Sequence, residues 1–239
     1  MTYRKLFLIV VILALCLLCN DNALSIIKTA NLVGGWRFEG NANDFSGNSN
    51  NGTVTGAVLA TGKFGQGYSF DGNGDYVLTI LNVAGQTGLT AAGWFYQTSS
   101  AARETALGTY TSTTDMAFDI DLVANTRQIQ FNILGEGGVR SDLDTATGVY
   151  SGSTWTHVAV TWNGSTMIIY VNGVNIASKA YSASSIEQTV TQKVIFGRYN
   201  EGVAAQQFSG SIDEVRVYNR ALNASEIRSL MLGYEPGEF

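Results

Sequence analysis

The chain reads as an all-β protein, an antiparallel two-sheet sandwich with one short C-terminal helix, and three observations lead there. Alternating apolar runs recur about every ten residues with almost no helical period, the pattern of short strands joined by turns. The turns are written in Gly, Asn, Asp and Ser, with 27 glycines and a single proline, Pro236. The stretch Trp155–Gly173, WTHVAVTWNGSTMIIYVNG, specifies its own pairing. Asn163-Gly164 predicts a two-residue type I′ hairpin, because that turn needs positive φ at both positions. Trp162 then faces Ser165, Val160 faces Met167, Val158 faces Ile169 and Thr156 faces Val171, which leaves one apolar face; a slip of one residue destroys the match. A second Asn-Gly, Asn172-Gly173, sets Val174 against Val171 and Ile176 against Ile169. The opposite face carries His157, Thr161, Tyr170 and Asn175, so it meets water or lines something.

From the N-terminus, Arg4 and Lys5 precede an apolar run from Leu6 to Cys19 and then Asn20-Asp21-Asn22. This is the pattern of a signal peptide, and a run of about 14 residues is short for a membrane span. The expected organisation is a signal peptide over 1–25, a lead over 26–31, one domain over 32–232 and a flexible tail over 233–239; a retained N-terminal anchor is the alternative. Cleavage before Ile26 removes both cysteines, Cys16 and Cys19, and leaves packing to hold the domain. The formal charge of −5 becomes about −6, which argues against nucleic acid or an anionic membrane as partner.

Leu32–Glu39 alternates as a first core strand with Trp36 and Phe38 on one side. Residues 40–52, crowded with Asn, Asp, Ser and Gly, form a long surface loop. Further strands are expected at Thr53–Leu59, Tyr68–Phe70, Tyr76–Ile80, Leu89–Gln97, Ala106–Tyr110, Met116–Leu122, Gln128–Leu134, Val190–Gly197 and Ile212–Tyr218, whereas 139–150 is too polar to assign. Asn223, with Glu226 three residues on, predicts a capping box and a short helix.

Three segments carry a family resemblance: WTHVAVTWNG with IYVNG, Gly62–Gly72 (GKFGQGYSFDG), and Gly210–Leu222 (GSIDEVRVYNRAL). Together they resemble the laminin G-like, concanavalin A-like jelly-roll domains over about residues 32 to 231. The resemblance implies a two-sheet jelly roll, and a fold that hosts lectins, adhesion modules, enzymes and structural modules alike.

Several residues could carry chemistry. Alternation in the last strand puts Asp213 on the core side with Val215 and Val217, and a buried carboxylate needs a partner. The resemblance implies that first and last strands are adjacent, which brings Asp213 near Glu39, Asn41, Asn43 and Asp44; that oxygen-rich set suits a structural Ca²⁺, or else Asp213 caps backbone N–H groups. His157, the one histidine, has no nucleophile motif beside it. Asp119 and Asp121 fall on one face of a strand, as a hydrolase pair would, with Asp115 just before and Asp142 and Asp144 repeating the spacing. Tyr110, Tyr150, Tyr181 and Tyr199 lie at strand ends, and Tyr199, Asn200, Glu201, Gln206 and Gln207 make the candidate sugar-binding loop. Asn51, Asn163 and Asn223 begin N-x-S/T sequons, two of them with turn or cap duties. The expected function is a secreted recognition or adhesion module for glycan or extracellular protein. The alternatives are a self-assembling fibre or coat subunit, and a glycan hydrolase.

Overall fold

The computed structural model describes residues 31–99, 103–109, 116–189, 193–198 and 206–234. Sixteen strands form two sheets: β1 (Leu32–Trp36), β2 (Thr53–Thr55), β3 (Val58–Thr61), β4 (Gln66–Asp71), β5 (Tyr76–Leu78), β6 (Leu89–Gln97), β7 (Glu104–Thr109), β8 (Phe118–Val123), β9 (Gln128–Gly135), β10 (Val139–Asp144), β11 (Thr156–Trp162), β12 (Thr166–Val171), β13 (Val174–Ala180), β14 (Val194–Phe196), β15 (Gln206–Gln207) and β16 (Ser209–Tyr218). Sheet A has the order β13-β12-β11-β6-β16-β4-β3, with β1 also on β16. Sheet B has the order β10-β9-β8-β7-β14-β5-β2; β15 joins it parallel to β7, and the other pairings are antiparallel.

Aromatic side chains fill the space between the sheets: Trp36, Trp162, Phe70, Phe95, Phe118, Phe131, Phe196 and Phe208 are all buried there. The expected strand over Thr53–Leu59 is two strands in different sheets. At Gly56 (φ 74°) the chain leaves β2 in sheet B and begins β3 in sheet A two residues later. A Cβ at Gly56 would collide with the Asp75 carboxylate, so only glycine fits the crossing. The polar stretch 139–144 forms β10 at the edge of sheet B, where one face meets water.

The hairpin differs in register. Trp162 pairs with Met167, Val160 with Ile169 and Val158 with Val171, around a four-residue loop instead of a two-residue turn. Of the two turn residues only Gly164 has positive φ; the Asn163 side-chain oxygen instead accepts from Ser165 N, Ser165 Oγ and Thr166 N. That local network competes with the type I′ turn and wins. Because the shift is two residues, every side chain keeps its face. Asn172-Gly173 does make the tight turn, with φ of 48° and 77° and Val171 opposite Val174. A bulge then sets Ala177, not Ile176, against Ile169.

The half-polar outer face of sheet A is covered. Helix α1 (Ala224–Met231) starts at the expected capping box, in which Asn223 accepts from Ser225 N and Glu226 N while Glu226 accepts from Asn223 N. It lays Ile227 and Leu230 on Leu32, Ala92, Ala159, Tyr170, Tyr218 and Leu222, a second, smaller core outside the sandwich. Tyr170 is buried beneath it, His157 and Thr161 are buried as well, and only Asn175 of that predicted set meets solvent.

Candidate functional site

Asp213 does not point into the main core. Glu214 sits at φ 52° in a bulge of β16, so Asp213 pairs with Trp94 while Arg216 pairs with Ala92. The extra residue reverses the alternation: Ile212, Val215 and Val217 face the core and Asp213 faces outward with Trp94. It is nonetheless fully buried, roofed by the turn between β3 and β4, where its oxygens accept from Phe64 N (3.0 Å) and Glu214 N (2.7 Å). Burial pushes its carboxyl up to about 7, against the pull of those N–H groups. Arg216 is buried against Glu214 at 2.8 Å.

Glu39, Asn41, Asn43 and Asp44 line one shallow depression with Arg37, Phe38 and Phe45, but Asp213 is not part of it. Asp44 is filled by donors. Its Oδ1 accepts from Gly35 N and Ser46 N, and its Oδ2 from Ser46 Oγ and Asn50 N. Asn41 Oδ1 accepts from Asn43 N and Glu39 Oε1 from Gln66 N. Ca²⁺ requires about six to eight oxygens, and among the described residues no three acidic, His or Cys groups converge for a metal. The set does not fit that ion.

Of the candidate loop, Tyr199, Asn200 and Glu201 lie outside the described residues, as do Tyr110 and Asp115. Gln207 Oε1 accepts from Gly74 N, and the Gln206 side-chain oxygen is buried without a partner among the described residues. Tyr150 is a rim residue turned inward, its hydroxyl donating to Gln97 Oε1 at 2.6 Å, with burial pushing it up to about 12. The Tyr181 hydroxyl donates to Val139 O.

Asp119 and Asp121 do share the outer face of sheet B, buried, because Phe118, Ile120 and Leu122 take the core positions of β8. Asp121 accepts from Arg103 Nε (2.6 Å) and Thr105 Oγ1 (2.5 Å), and Asp119 Oδ1 accepts from Asn132 Nδ2. Burial raises both carboxyls, and the neighbouring Asp121 charge holds Asp119 well above the usual range. His157 is pushed down to about 3 by burial and by Arg216, so it is a neutral packed ring against Trp94.

The side chains that sheet A leaves open form a row. Val58 pairs with Ser69, Ser69 with Ser211, and Ser211 with Tyr96; Trp155, just before β11, lies against Tyr96 with ring centroids 5.6 Å apart and planes tilted by 56°. Val58 is exposed and the other four are half-buried. The adjacent row, Gly67, Asp213, Trp94 and His157, lies buried under the Gly62–Gln66 turn, whose Lys63 ammonium sits 4.3 Å above the Trp94 ring. The alternation of Trp94 and Tyr96 is legible in the sequence; which of the two stays open is not.

A family model described as the concanavalin A-like lectin/glucanases superfamily matches residues 71–228. The chain belongs to that superfamily. Among solved structures, this concanavalin A-like domain is similar to the binding domain of Paraclostridial Mosquitocidal Protein 1, with a TM-score of 0.69 at 19% identity over 85% of this chain and 52% of that one. It is also similar to the botulinum neurotoxin serotype D ligand binding domain in complex with N-acetylneuraminic acid, with a TM-score of 0.67 at 15% identity, over 88% of this chain and 52% of that one. Domain 4 of AbnA, a GH43 extracellular arabinanase from Geobacillus stearothermophilus, in complex with arabinotriose, gives 0.62 at 20% identity, over 84% and 98% of the two chains. The chain thus spans about half the length of the toxin domains. At these identities the likeness is one of fold. Comparison with curated protein sequences finds no match. Among the described residues no helix of the concanavalin A-like domain is long and apolar enough to cross a membrane.

Proposed function

We propose that the protein is an extracellular glycan-binding module whose contact surface is the open row of sheet A. The observation that carries this is the half-buried Tyr96–Trp155 pair set beside Ser69 and Ser211. Aromatic faces take the apolar C–H surface of a sugar ring while neighbouring hydroxyls exchange hydrogen bonds with its hydroxyls. Two similar structures are complexes with glycans, N-acetylneuraminic acid in one and arabinotriose in the other, which supports the reading. The charged and apolar N-terminal pattern supports export. Calcium is no part of this proposal, because Asp44 already accepts four hydrogen bonds and Asp213 lies outside the depression that Glu39, Asn41 and Asn43 line. Bond cleavage is not favoured either: the acid pair is buried and Asp121 is tied to Arg103 and Thr105.

The test is a glycan array followed by calorimetry on the purified protein. Burying an aromatic side chain is worth about 1.5–3 kcal/mol, so Tyr96→Ala and Trp155→Ala should each weaken binding roughly ten- to hundredfold. Undiminished binding by both variants rules out this surface. One observation favours self-assembly as a second reading: β3 is an edge strand without charge, with Val58 61% and Leu59 39% exposed. Light scattering that shows polymers, dispersed by Leu59→Lys, would put that reading first.

A further inference from the structure

We infer that the ligand is the interior of an uncharged glycan chain, lying across the strands of sheet A from Val58 to Trp155. The inference rests on the glycan-binding reading above and adds two things to it, the charge of the ligand and the part of the chain that is read.

The first argument is shape. The row crosses β3, β4, β16 and β6 and reaches the start of β11. With strands about 4.8 Å apart, that is a track about 19 Å long, more than one sugar ring occupies. Its Val58 end lies on the edge strand of the sheet. At its Trp155 end, β12 stops at Val171 opposite Val158, so no described strand flanks Trp155. Along one side the Gly62–Gln66 turn stands over the neighbouring row. On the other side Asp71, Ser209 and Thr98 stay at the surface or half-buried, with Thr98 Oγ1 and Ser209 Oγ 3.0 Å apart. A site for a terminal sugar needs a blind end that encloses it; a track open at both described ends lets a chain run through.

The second argument is charge. No member of the row carries Lys, Arg, Asp or Glu: it is Val, Ser, Ser, Tyr and Trp. An acidic sugar is held by paired donors of a guanidinium or by an ammonium aimed at its carboxylate. The cation at the margin, Lys63, is stacked on Trp94, and Asp71 lies in the neighbouring open row. With a formal charge of −5 over the whole chain, an anionic glycan is repelled at long range as well. Serine hydroxyls both donate and accept, which matches uncharged sugar hydroxyls.

The experiment is calorimetry on the purified protein with arabinan, xylan, mixed-linkage β-glucan and starch, then with mono- to tetrasaccharides of the best binder, native and blocked at either end. Polygalacturonate and sialyllactose are the acidic probes. The expected result is affinity that rises with length, is indifferent to blocking either end, and changes less than about twofold between low salt and about 0.5 M salt, where exposed charges are screened. Ser211→Asp, a surface change at mid-row, should weaken binding about tenfold or more, the equivalent of about 1.4 kcal/mol. Binding confined to free chain ends, a preference for the acidic probes, or a steep salt dependence overturns the inference. If Tyr96→Ala and Trp155→Ala still abolish such binding, the glycan-binding reading survives that failure; if no glycan binds at all, both fall.

Discussion

Asp44 offers the sharpest test of what organises the long loop over residues 40–52. Its carboxylate takes four hydrogen bonds, from Gly35 N at 2.9 Å, Ser46 N at 2.8 Å, Ser46 Oγ at 2.8 Å and Asn50 N at 2.9 Å. In Asp44→Ala all four donors lose their acceptor. Gly35 is buried in β1, so water does not replace that bond, and a hydrogen bond to a charged group is worth about 2 kcal/mol. The other three donors lie nearer the surface and regain water, at about 0.5 kcal/mol each. The expected loss is about 3.5 kcal/mol, or about 10 °C in Tm for a domain of this size. Thermal unfolding followed by circular dichroism, with excess Ca²⁺ and with chelator, measures it. The same drop is expected in both solutions, and the wild-type Tm should not respond to chelation. A loss below about 1 kcal/mol would refute the hydrogen-bond account. A loss that disappears in chelator would refute it differently, by showing that Asp44 holds an ion.

Three further outcomes follow from the structure. On sheet B two buried carboxylates face one bound guanidinium, so Asp119→Asn, which keeps an acceptor for Asn132, should change stability by less than about 1 kcal/mol, while Asp121→Asn should cost about 2–3 kcal/mol by removing the charge in close contact with the Arg103 guanidinium; denaturant midpoints would tell them apart, and the reverse order would contradict the pairing. Asp213 titrates near 7 when folded against 3.8 as its ordinary value, so the folded state holds that proton more tightly. Its contribution is complete below pH about 4 and is lost as pH rises through about 7, by at most about 4 kcal/mol; the difference in Tm between wild type and Asp213→Asn should therefore change between pH 4.5 and 8, and a constant difference would count against it. Gly210, at φ 142°, has the Tyr96 carbonyl where a Cβ would lie, so Gly210→Ala should cost more than about 3 kcal/mol and lower the soluble yield.

Much of the fold is legible in the residues because apolar alternation and turn chemistry agree. The two inner faces, the Asn172-Gly173 turn and the Asn223 capping box follow from such local signals, whereas the pairing of β1 with β16 was implied only by the family resemblance. The Asn163 loop was legible only in part. Asn-Gly announces a tight turn, but the Ser and Thr behind it offer the asparagine oxygen three donors, and that alternative is equally local. Asp213 was misplaced because nothing in the sequence marks Glu214 for positive φ; the bulge is set by pairing with β6 across more than a hundred residues. The open row was hidden for a related reason. Trp94 and Tyr96 have the same local pattern, and only the long-range packing of the Gly62–Gln66 turn covers one and leaves the other.

The crossing at Gly56 and Ala57 bears on mechanics. It joins β2, the outermost strand of sheet B, to β3, the outermost strand of sheet A, through two residues. That side of the sandwich is sewn shut by covalent bonds, and shear between the layers there meets main chain instead of side-chain friction. The far side is fastened differently, by Lys179 Nζ of β13 reaching Asp142 O, by the Tyr181 hydroxyl just beyond β13 reaching Val139 O, and by a longer main-chain passage over 181–187 that bonds to the end of β9. A sandwich seamed along one margin and buttoned along the other opens as a book does, so amides of β10 and β13 should exchange before those of β2 and β3 as the layers part.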